Sequence, residues 1–172
     1  LSEWSGERPL YDPFCGSGTI LCEAFMKAGN IPAAYLRRKF GFLRLPGFDA
    51  TVWNQIKTQA NNETVDVPEG LIAGSDINAD AVKAVRANRN ELPEIGTIKV
   101  RRSDFQSLEG FSNTTIVANP PYGIRLGNTA EVAGLLKEFG DFLKQKCTGS
   151  TAFIYYGDKA LAKKLGLKPE WK

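Results

Sequence analysis

The 172-residue sequence contains no histidine at all. This absence excludes histidine within the chain as a general base, as a member of a serine-histidine triad and as a metal ligand. The chain has three cysteines, Cys15, Cys22 and Cys147, and no two of them have the CxxC spacing of zinc or redox sites. The sequence therefore predicts neither a metal site nor a disulfide framework, and it fits a reducing, cytoplasmic environment.

Long apolar runs are missing too, as is a basic-then-apolar secretory leader, so the sequence predicts no membrane association. Apolar residues make up 42% and charged residues 24%, which is typical of a soluble folded domain. The length suits one domain with a hydrophobic core. The formal net charge of +3 permits nucleic-acid binding without requiring it. The chain opens at Leu1 without a methionine, so we expect a fragment of a longer protein.

Apolar and β-branched runs alternate along the chain with segments of helical periodicity. Strands are predicted at residues 8–12, 71–76, 98–102, 114–118 and 150–156, and helices at 19–27, 78–91 and 131–146, with a further helix carrying Leu161 and Leu165 capped by Asp158. A strand could begin again at 168–172. This alternation predicts an α/β fold with a doubly wound, mostly parallel sheet, formed by residues 1–172 as a single domain.

The segment at about 31–69 interrupts this alternation. Residues 35–40 and 50–60 each have helical character, and between them lies an aromatic, basic stretch punctuated by proline and glycine. One interpretation is an excursion at the edge of the sheet near the substrate. The alternative is a packed connection whose aromatic residues fill core.

Polar features follow the predicted strands where a doubly wound sheet binds its ligands, beyond the carboxyl ends. The first strand leads into a glycine-rich loop, Asp12-Pro13-Phe14-Cys15-Gly16-Ser17-Gly18, before a helix beginning at Thr19. This loop lacks the lysine of a P-loop, and a helix N-terminus behind it favours a carboxylate, as in an amino-acid-like cofactor. Asp12 could accept from an ammonium group, Asp76 from ribose hydroxyls, and Asp104 from an adenine amine with Phe105 against the ring. Each acid could instead cap a helix or end a solvated loop.

The fourth strand leads into Asn119-Pro120-Pro121-Tyr122-Gly123. Two successive prolines stiffen the backbone and supply no N–H, so the segment presents carbonyl oxygens and one amide side chain. Such acceptors suit a nucleobase that carries an exocyclic amine. The alternative is an ordinary turn that closes a strand.

Together, the loop through Thr19 and the Asn-Pro-Pro-Tyr motif resemble the Rossmann-like amino-methyltransferases that use S-adenosyl-L-methionine. The likeness is closest to a branch formerly called N6-adenine DNA methylases, most of which methylate N2 of guanine in RNA and often carry an RNA-binding THUMP domain in front. The segment 41–53 and Gly74-Ser75-Asp76-Ile77 resemble that branch too. The preceding THUMP domain and the closing antiparallel hairpin of the family are not found in this sequence.

The resemblance implies a role for each motif. Residues Asp12 to Thr19 would line the methionine end of the cofactor, Asp76 and Ile77 would hold ribose and adenine, and Asp104 and Phe105 would lie at the adenine. The catalytic motif would be Asn119, Pro120, Pro121 and Tyr122, with Asn119 and the Pro120 carbonyl accepting from the target amine and Tyr122 stacking on the base. The expected substrate is structured rRNA or tRNA, and no metal is required.

Three other functions stay open at this point. The first is N6-adenine methylation of DNA, and the second is methylation of a protein glutamine amide. The third is a non-catalytic module that binds RNA. Six basic residues could contact phosphates, or could form an ordinary solvated face: Arg37, Arg38, Lys39, Arg44, Arg101 and Arg102.

Overall fold

The structure is a computed structural model, and it describes residues 3–121, 129–155 and 159–168. Five strands form one sheet: β1 (Leu10–Asp12), β2 (Ile72–Asp76), β3 (Lys99–Arg102), β4 (Thr115–Ala118) and β5 (Thr151–Ile154). The helices are α1 (Thr19–Ala28), α2 (Ala50–Asn62), α3 (Ala79–Asn90), α4 (Thr129–Lys146) and α5 (Lys159–Ala162). Short 3-10 helices occupy Gly41–Arg44, Phe105–Ser107 and Lys163–Leu165.

The sheet has the strand order β3-β2-β1-β4-β5, and every neighbouring pair is parallel. Leu10 of β1 lies opposite Ile72 on one side and Thr115 on the other. The strand order reverses at β1, because the chain builds outward first to β2 and β3 and then returns to add β4 and β5. The predicted doubly wound α/β fold is therefore confirmed.

Two apolar clusters cover the two faces of this sheet. One packs Leu21 and Phe25 of α1 together with Ile72, and all three are fully buried. The other packs Phe139 of α4 together with Ile116 of β4. Burial of such side chains is the main force that holds helices on both faces. The predicted apolar stripe of α4 is confirmed as core, with one partly buried member, in Val132, Leu135, Leu136, Phe139, Phe142 and Leu143.

Residues 35–40 do not form the helix that their composition suggested; they run through turns into extended backbone at Phe40. Three adjacent cations, Arg37, Arg38 and Lys39, repel one another, and no buried contact stabilises a helix there. Arg37 instead donates from Nε to the Lys39 carbonyl at 3.1 Å and lies 5.3 Å from the centre of the Phe40 ring.

Ile31 and Val67 at the two ends of the insertion are buried in the core, but its aromatic residues do not fill core as the packed-connection interpretation expected. No residue of Gly41–Arg44 or of α2 is buried. Its aromatic residues instead contact one another, with ring centres 5.0 to 6.0 Å apart, in an aromatic cluster of Phe40, Phe42, Phe48 and Trp53.

Both ends of the insertion lie at the amino ends of the strands, because it follows α1 and precedes β2. Val65 N donates to the Gly29 carbonyl at 2.9 Å, and the Asn30 amide donates to the Glu63 carbonyl at 3.0 Å. The insertion is thus anchored at the edge opposite to the one where the predicted site residues emerge. Its expected nearness to the substrate is not supported by these anchors. Two other expectations, the Asp158 cap and a strand at 168–172, fall outside the described residues, apart from Lys168.

Candidate active site

The glycine loop and the Asn119 motif leave two neighbouring strands at the point where the strand order reverses. Tyr11 of β1 pairs with Ile116 of β4, so Asp12 and Asn119 emerge from the same edge of the sheet. Adjacent strands are about 4.8 Å apart. Ligands of doubly wound sheets bind at such a reversal point. The structure therefore brings the two motifs that carry the family resemblance to the same edge of the sheet, where doubly wound folds form their ligand crevice.

The loop after β1 is held to the end of β2 by hydrogen bonds. Gly16 N donates to Asp76 Oδ2 at 2.9 Å, and Cys15 N donates to the Ser75 carbonyl at 3.0 Å. From a third element, the Asn88 amide of α3 donates to the Ser17 carbonyl at 2.9 Å. Sequence reasoning missed Asn88, because a polar residue within a helical pattern carries no sign of a partner 71 positions away.

Two glycines of the loop have left-handed backbone for different reasons. Gly18 has φ of +85°, and a Cβ placed there would lie 2.7 Å from Cγ1 of Val85 on α3. Gly16 has φ of +52°, yet a Cβ there would meet nothing within 4 Å. Gly18 therefore allows the loop to pack against α3, whereas the backbone at Gly16 has open space beside it, which a ligand could approach closely.

The N-terminus of α1 lies at the end of this loop. Gly18 is its N-cap and offers no side-chain acceptor, and the first turn contains no acidic residue. The first backbone N–H groups are thus free of a side-chain cap. Because they carry the positive end of the helix dipole, they suit the carboxylate of an amino-acid-like ligand.

Asp12 lies under the loop and is only 1% exposed. Burial raises the pKa of its carboxyl to about 7, and the nearby Asp76 adds to the rise, while a 2.9 Å hydrogen bond from Phe14 N opposes it. Asp12 therefore shapes the turn from beneath. Its predicted contact with an ammonium group stays a prediction, because the carboxyl is covered in this structure.

Asp76 is partly exposed at the carboxyl end of β2, as expected for a residue that binds ribose. Its Oδ2 accepts from Gly16 and its Oδ1 accepts from Asn78 N at 2.8 Å. Each carboxylate oxygen has a second lone pair, so the group can also accept from hydroxyls. Ile77 beside it is 63% exposed, an unusual position for an apolar side chain and a suitable one for a flat ring.

The third predicted pair, Asp104 and Phe105, is placed differently. Asp104 caps the 3-10 helix Phe105–Ser107, with Oδ1 accepting from Gln106 N at 3.0 Å. The ring of Phe105 is 4% exposed and packs 5.3 Å from Phe14 and 5.4 Å from Phe139, measured between ring centres. The predicted contact between this ring and an adenine stays a prediction, because most of the ring packs in the core of this structure.

The Asn119 motif is described through Pro121. Asn119 is exposed just beyond β4, Pro120 is fully buried and Pro121 is half-buried. Tyr155 N donates to the Ala118 carbonyl at 2.9 Å, which fixes the point where the chain leaves the sheet. Asn119 therefore follows a strand end whose position is fixed by this hydrogen bond. Tyr122 lies outside the described residues.

Cys15 is the one thiol within the glycine loop. Burial raises its pKa to about 12, and the nearby Asp12 and Asp76 raise it further in the same direction. A thiol in this environment stays protonated at neutral pH and is a poor nucleophile. The described residues also contain no group of three His, Cys, Asp or Glu side chains that could hold a metal ion. Among the helices described, none is long and apolar enough to cross a membrane.

Comparisons with known proteins agree with this geometry. A family model described as "RMKL-like, methyltransferase domain" matches residues 1–172. The chain is 34% identical over 169 residues to a protein of Synechocystis provisionally named an RNA methyltransferase, covering 98% of this chain and 44% of that protein. It is 33% identical over 175 residues to the ribosomal RNA large subunit methyltransferase K/L of Photobacterium profundum, and this match covers 98% of this chain and 25% of that protein.

A crystal structure of a provisionally named methyltransferase complexed with SAH superposes on the chain with a TM-score of 0.85 at 29% identity. The superposition covers 98% of this chain and 45% of that one. The chain thus spans less than half the length of these similar proteins.

Proposed function

The chain belongs to the RMKL-like methyltransferase domain family, and we propose that it methylates an exocyclic amine of a nucleobase in structured RNA, most specifically N2 of guanine in ribosomal RNA. Its fold is that of the methyltransferases that use S-adenosyl-L-methionine, and that compound is its cofactor. We further propose that residues 1–172 act as one catalytic domain and that an RNA-binding domain precedes it in the full-length protein.

The residues on the β1 and β2 side fit this cofactor. The uncapped N-terminus of α1 suits its carboxylate, the open backbone at Gly16 allows close approach, and Asp76 with Ile77 suits a ribose and an adenine. When bound, S-adenosylmethionine supplies an electrophilic methyl group on a sulfonium. The protein's contribution there is to hold this end of the crevice fixed through the bonds from Gly16 and Cys15 to β2.

The residues on the β4 side are assigned to the target amine. The lone pair of such an amine is delocalised into its ring, which makes the nitrogen a poor nucleophile. Hydrogen bonds accepted by the Asn119 side-chain oxygen and the Pro120 carbonyl would orient the N–H groups and stabilise the positive charge that develops on nitrogen. Tyr122 would stack on the base, which must leave its helix to enter the crevice.

The observation that carries this proposal is the pairing of β1 with β4, from which the glycine loop and Asn119 leave side by side. The test compares Asn119→Ala with Asp76→Ala. We expect Asn119→Ala to reduce methyl transfer at least about 100-fold, a loss typical of removing one charge-stabilising group, while cofactor affinity measured by calorimetry stays near that of the parent. Asp76→Ala should weaken cofactor binding instead.

The substrate is identified by incubating the chain with unmodified ribosomal RNA and with DNA and then digesting each product to nucleosides. N2-methylguanosine from RNA is the expected product. N6-methyladenine from DNA would replace the proposed substrate by the alternative one. Full turnover by Asn119→Ala would remove that residue from the mechanism whichever polymer is methylated.

A further inference from the structure

A basic groove of about 510 Å³ lies between α4 and the 3-10 helix Lys163–Leu165. Its α4 wall is formed by Ala133, Lys137, Asp141 and Lys144, which recur at helical spacing and so share one face of the helix. This face is adjacent to the apolar stripe that packs on the sheet. None of these residues has a role in the proposed chemistry.

The groove is shaped by an unusually close approach of two backbones. A Cβ added to Gly140 of α4 would collide with the Leu165 carbonyl, so only glycine allows the 3-10 helix to lie directly against α4. Gly166 then follows with φ of +62°, and a Cβ there would lie 3.0 Å from Nζ of Lys144. This close packing places Lys163 and Lys164 beside the lysines of α4.

Positive charge dominates the groove, with four lysines and one aspartate along its walls. The Asp141 carboxylate is shared by Lys144 at 3.1 Å and Lys137 at 4.0 Å. Among the residues that the structure describes, Lys163 and Lys164 have no acidic group within 4.0 Å. A row of ammonium groups in which two have no acidic partner attracts a polyanion such as a phosphate backbone.

The groove lies apart from the residues that fit the cofactor. α4 starts at the edge of the sheet where Asn119 emerges and runs toward the opposite edge, where its Lys146 carbonyl accepts from Phe111 N at 2.8 Å. The groove therefore lies on the β4 and β5 side, whereas the residues that fit the cofactor lie on the β1 and β2 side. Lysine head groups without an apolar or aromatic anchor suit phosphate oxygens better than a membrane surface.

We propose that this groove binds the sugar-phosphate backbone of the RNA that is methylated. The inference rests on the proposed function for its choice of polymer. The lysines of the groove bind phosphates, so the groove contributes affinity without reading the sequence.

The test measures binding of an unmodified large-subunit ribosomal RNA transcript over a range of salt, with the chain saturated with S-adenosylmethionine. The double variant Lys163→Ala/Lys164→Ala should bind roughly tenfold more weakly near 0.1 M salt. Its plot of log affinity against log salt should be shallower by about 1.4, or ~0.7 for each phosphate that a lysine no longer neutralises. The matched control is Lys57→Ala/Lys83→Ala, which removes the same charge from α2 and α3 and should bind as the parent does.

A second variant predicts a gain. Asp141→Asn removes the one acidic group of the groove and releases Lys137 and Lys144, so RNA should bind roughly two- to fivefold more tightly at low salt. A purely structural role for Asp141 would give no such gain, because loss of its ion pairs can only weaken the fold.

The outcomes separate this inference from the proposed function. If the parent methylates RNA and the groove variants bind with unchanged affinity and salt dependence, the groove is overturned and the function stands. If RNA binds through these lysines and no methyl group is transferred, the function fails and the groove stands. Binding of the same lysines to phosphatidylserine vesicles but not to RNA overturns the groove proposal.

Discussion

The glycine loop and the insertion are connected to opposite ends of α1, and the chain stabilises them in different ways. The loop after β1 is tied to β2 and to α3 by hydrogen bonds, and its glycine at position 18 packs directly against Val85. The insertion contains a 13-residue helix, α2, with no buried residue and an aromatic cluster that packs largely on itself. A helix of that length is marginally stable without tertiary contacts.

The difference teaches which part of the molecule sets its stability and which part can change without affecting it. Elements that share buried surface unfold together, whereas elements with little buried surface open locally at low free energy. The residues of the crevice should therefore unfold together with the core, whereas the insertion can open locally. The same kind of substitution should accordingly have different effects in the two regions.

The largest difference is expected for removal of an aromatic ring. Phe139 is fully buried between α4 and the sheet, whereas Phe42 of the aromatic cluster is 38% exposed. Phe139→Ala should lower the free energy of unfolding by about 3–5 kcal/mol, because it leaves a cavity in the core. Phe42→Ala should lower it by less than about 1 kcal/mol. Urea unfolding followed by circular dichroism measures both, and equal losses would show that the insertion is part of the core.

A glycine pair gives the next difference. Gly18 and Gly47 have nearly the same φ, +85° and +81°, but a Cβ at Gly47 would meet nothing within 4 Å. Alanine at either position would have to adopt left-handed backbone, which costs about 1–2 kcal/mol. Gly18→Ala adds a collision with Val85, so its total loss should be about 2–4 kcal/mol and should also weaken cofactor binding. Similar losses of unfolding free energy for the two variants would contradict the packing described for the loop.

The sequence could predict those parts of the structure that follow a repeating local pattern. The apolar periods of α1, α3 and α4 and the β-branched run of β4 are set by local pattern, so the sheet and its covering helices could be predicted. The conformation of residues 35–40 could not be predicted. Their composition favours a helix, but adjacent cations repel one another and no buried contact stabilises a helix there. The burial of Phe105 and the bond from Asn88 to Ser17 depend on packing between distant segments, which no local pattern reports.

The buried carboxyl of Asp12 makes the stability of the crevice depend on pH. Its pKa is about 7 in the folded chain against an ordinary value of 3.8, so the folded chain holds the proton more tightly. The contribution of Asp12 to the free energy of unfolding should therefore fall as pH rises from about 4 to about 7, and stay low above that range. Asp12→Asn cannot ionise and keeps an oxygen acceptor for Phe14, so it should be more stable than the parent at pH 8, by on the order of 2 kcal/mol. Chemical denaturation at pH 5 and pH 8 tests this; an equal pH dependence in both proteins would contradict it.

The smallest effects are expected for two helix caps. Here the regions differ less in the free energy lost than in whether the whole chain or one helix is destabilised. Asp49 accepts from Thr51 N at 2.7 Å at the start of α2, and Asn78 accepts from Asp80 N at 2.8 Å at the start of α3. Either cap is worth about 1 kcal/mol to its helix. Because Val82 and Val85 of α3 are buried, Asn78→Ala should destabilise the whole chain by about that amount. Asp49→Ala should leave global unfolding unchanged and speed amide hydrogen exchange within α2 alone, since that helix can open while the core stays folded. A global loss from Asp49→Ala would mean that α2 unfolds together with the core, and the contrast between the two regions would then fail.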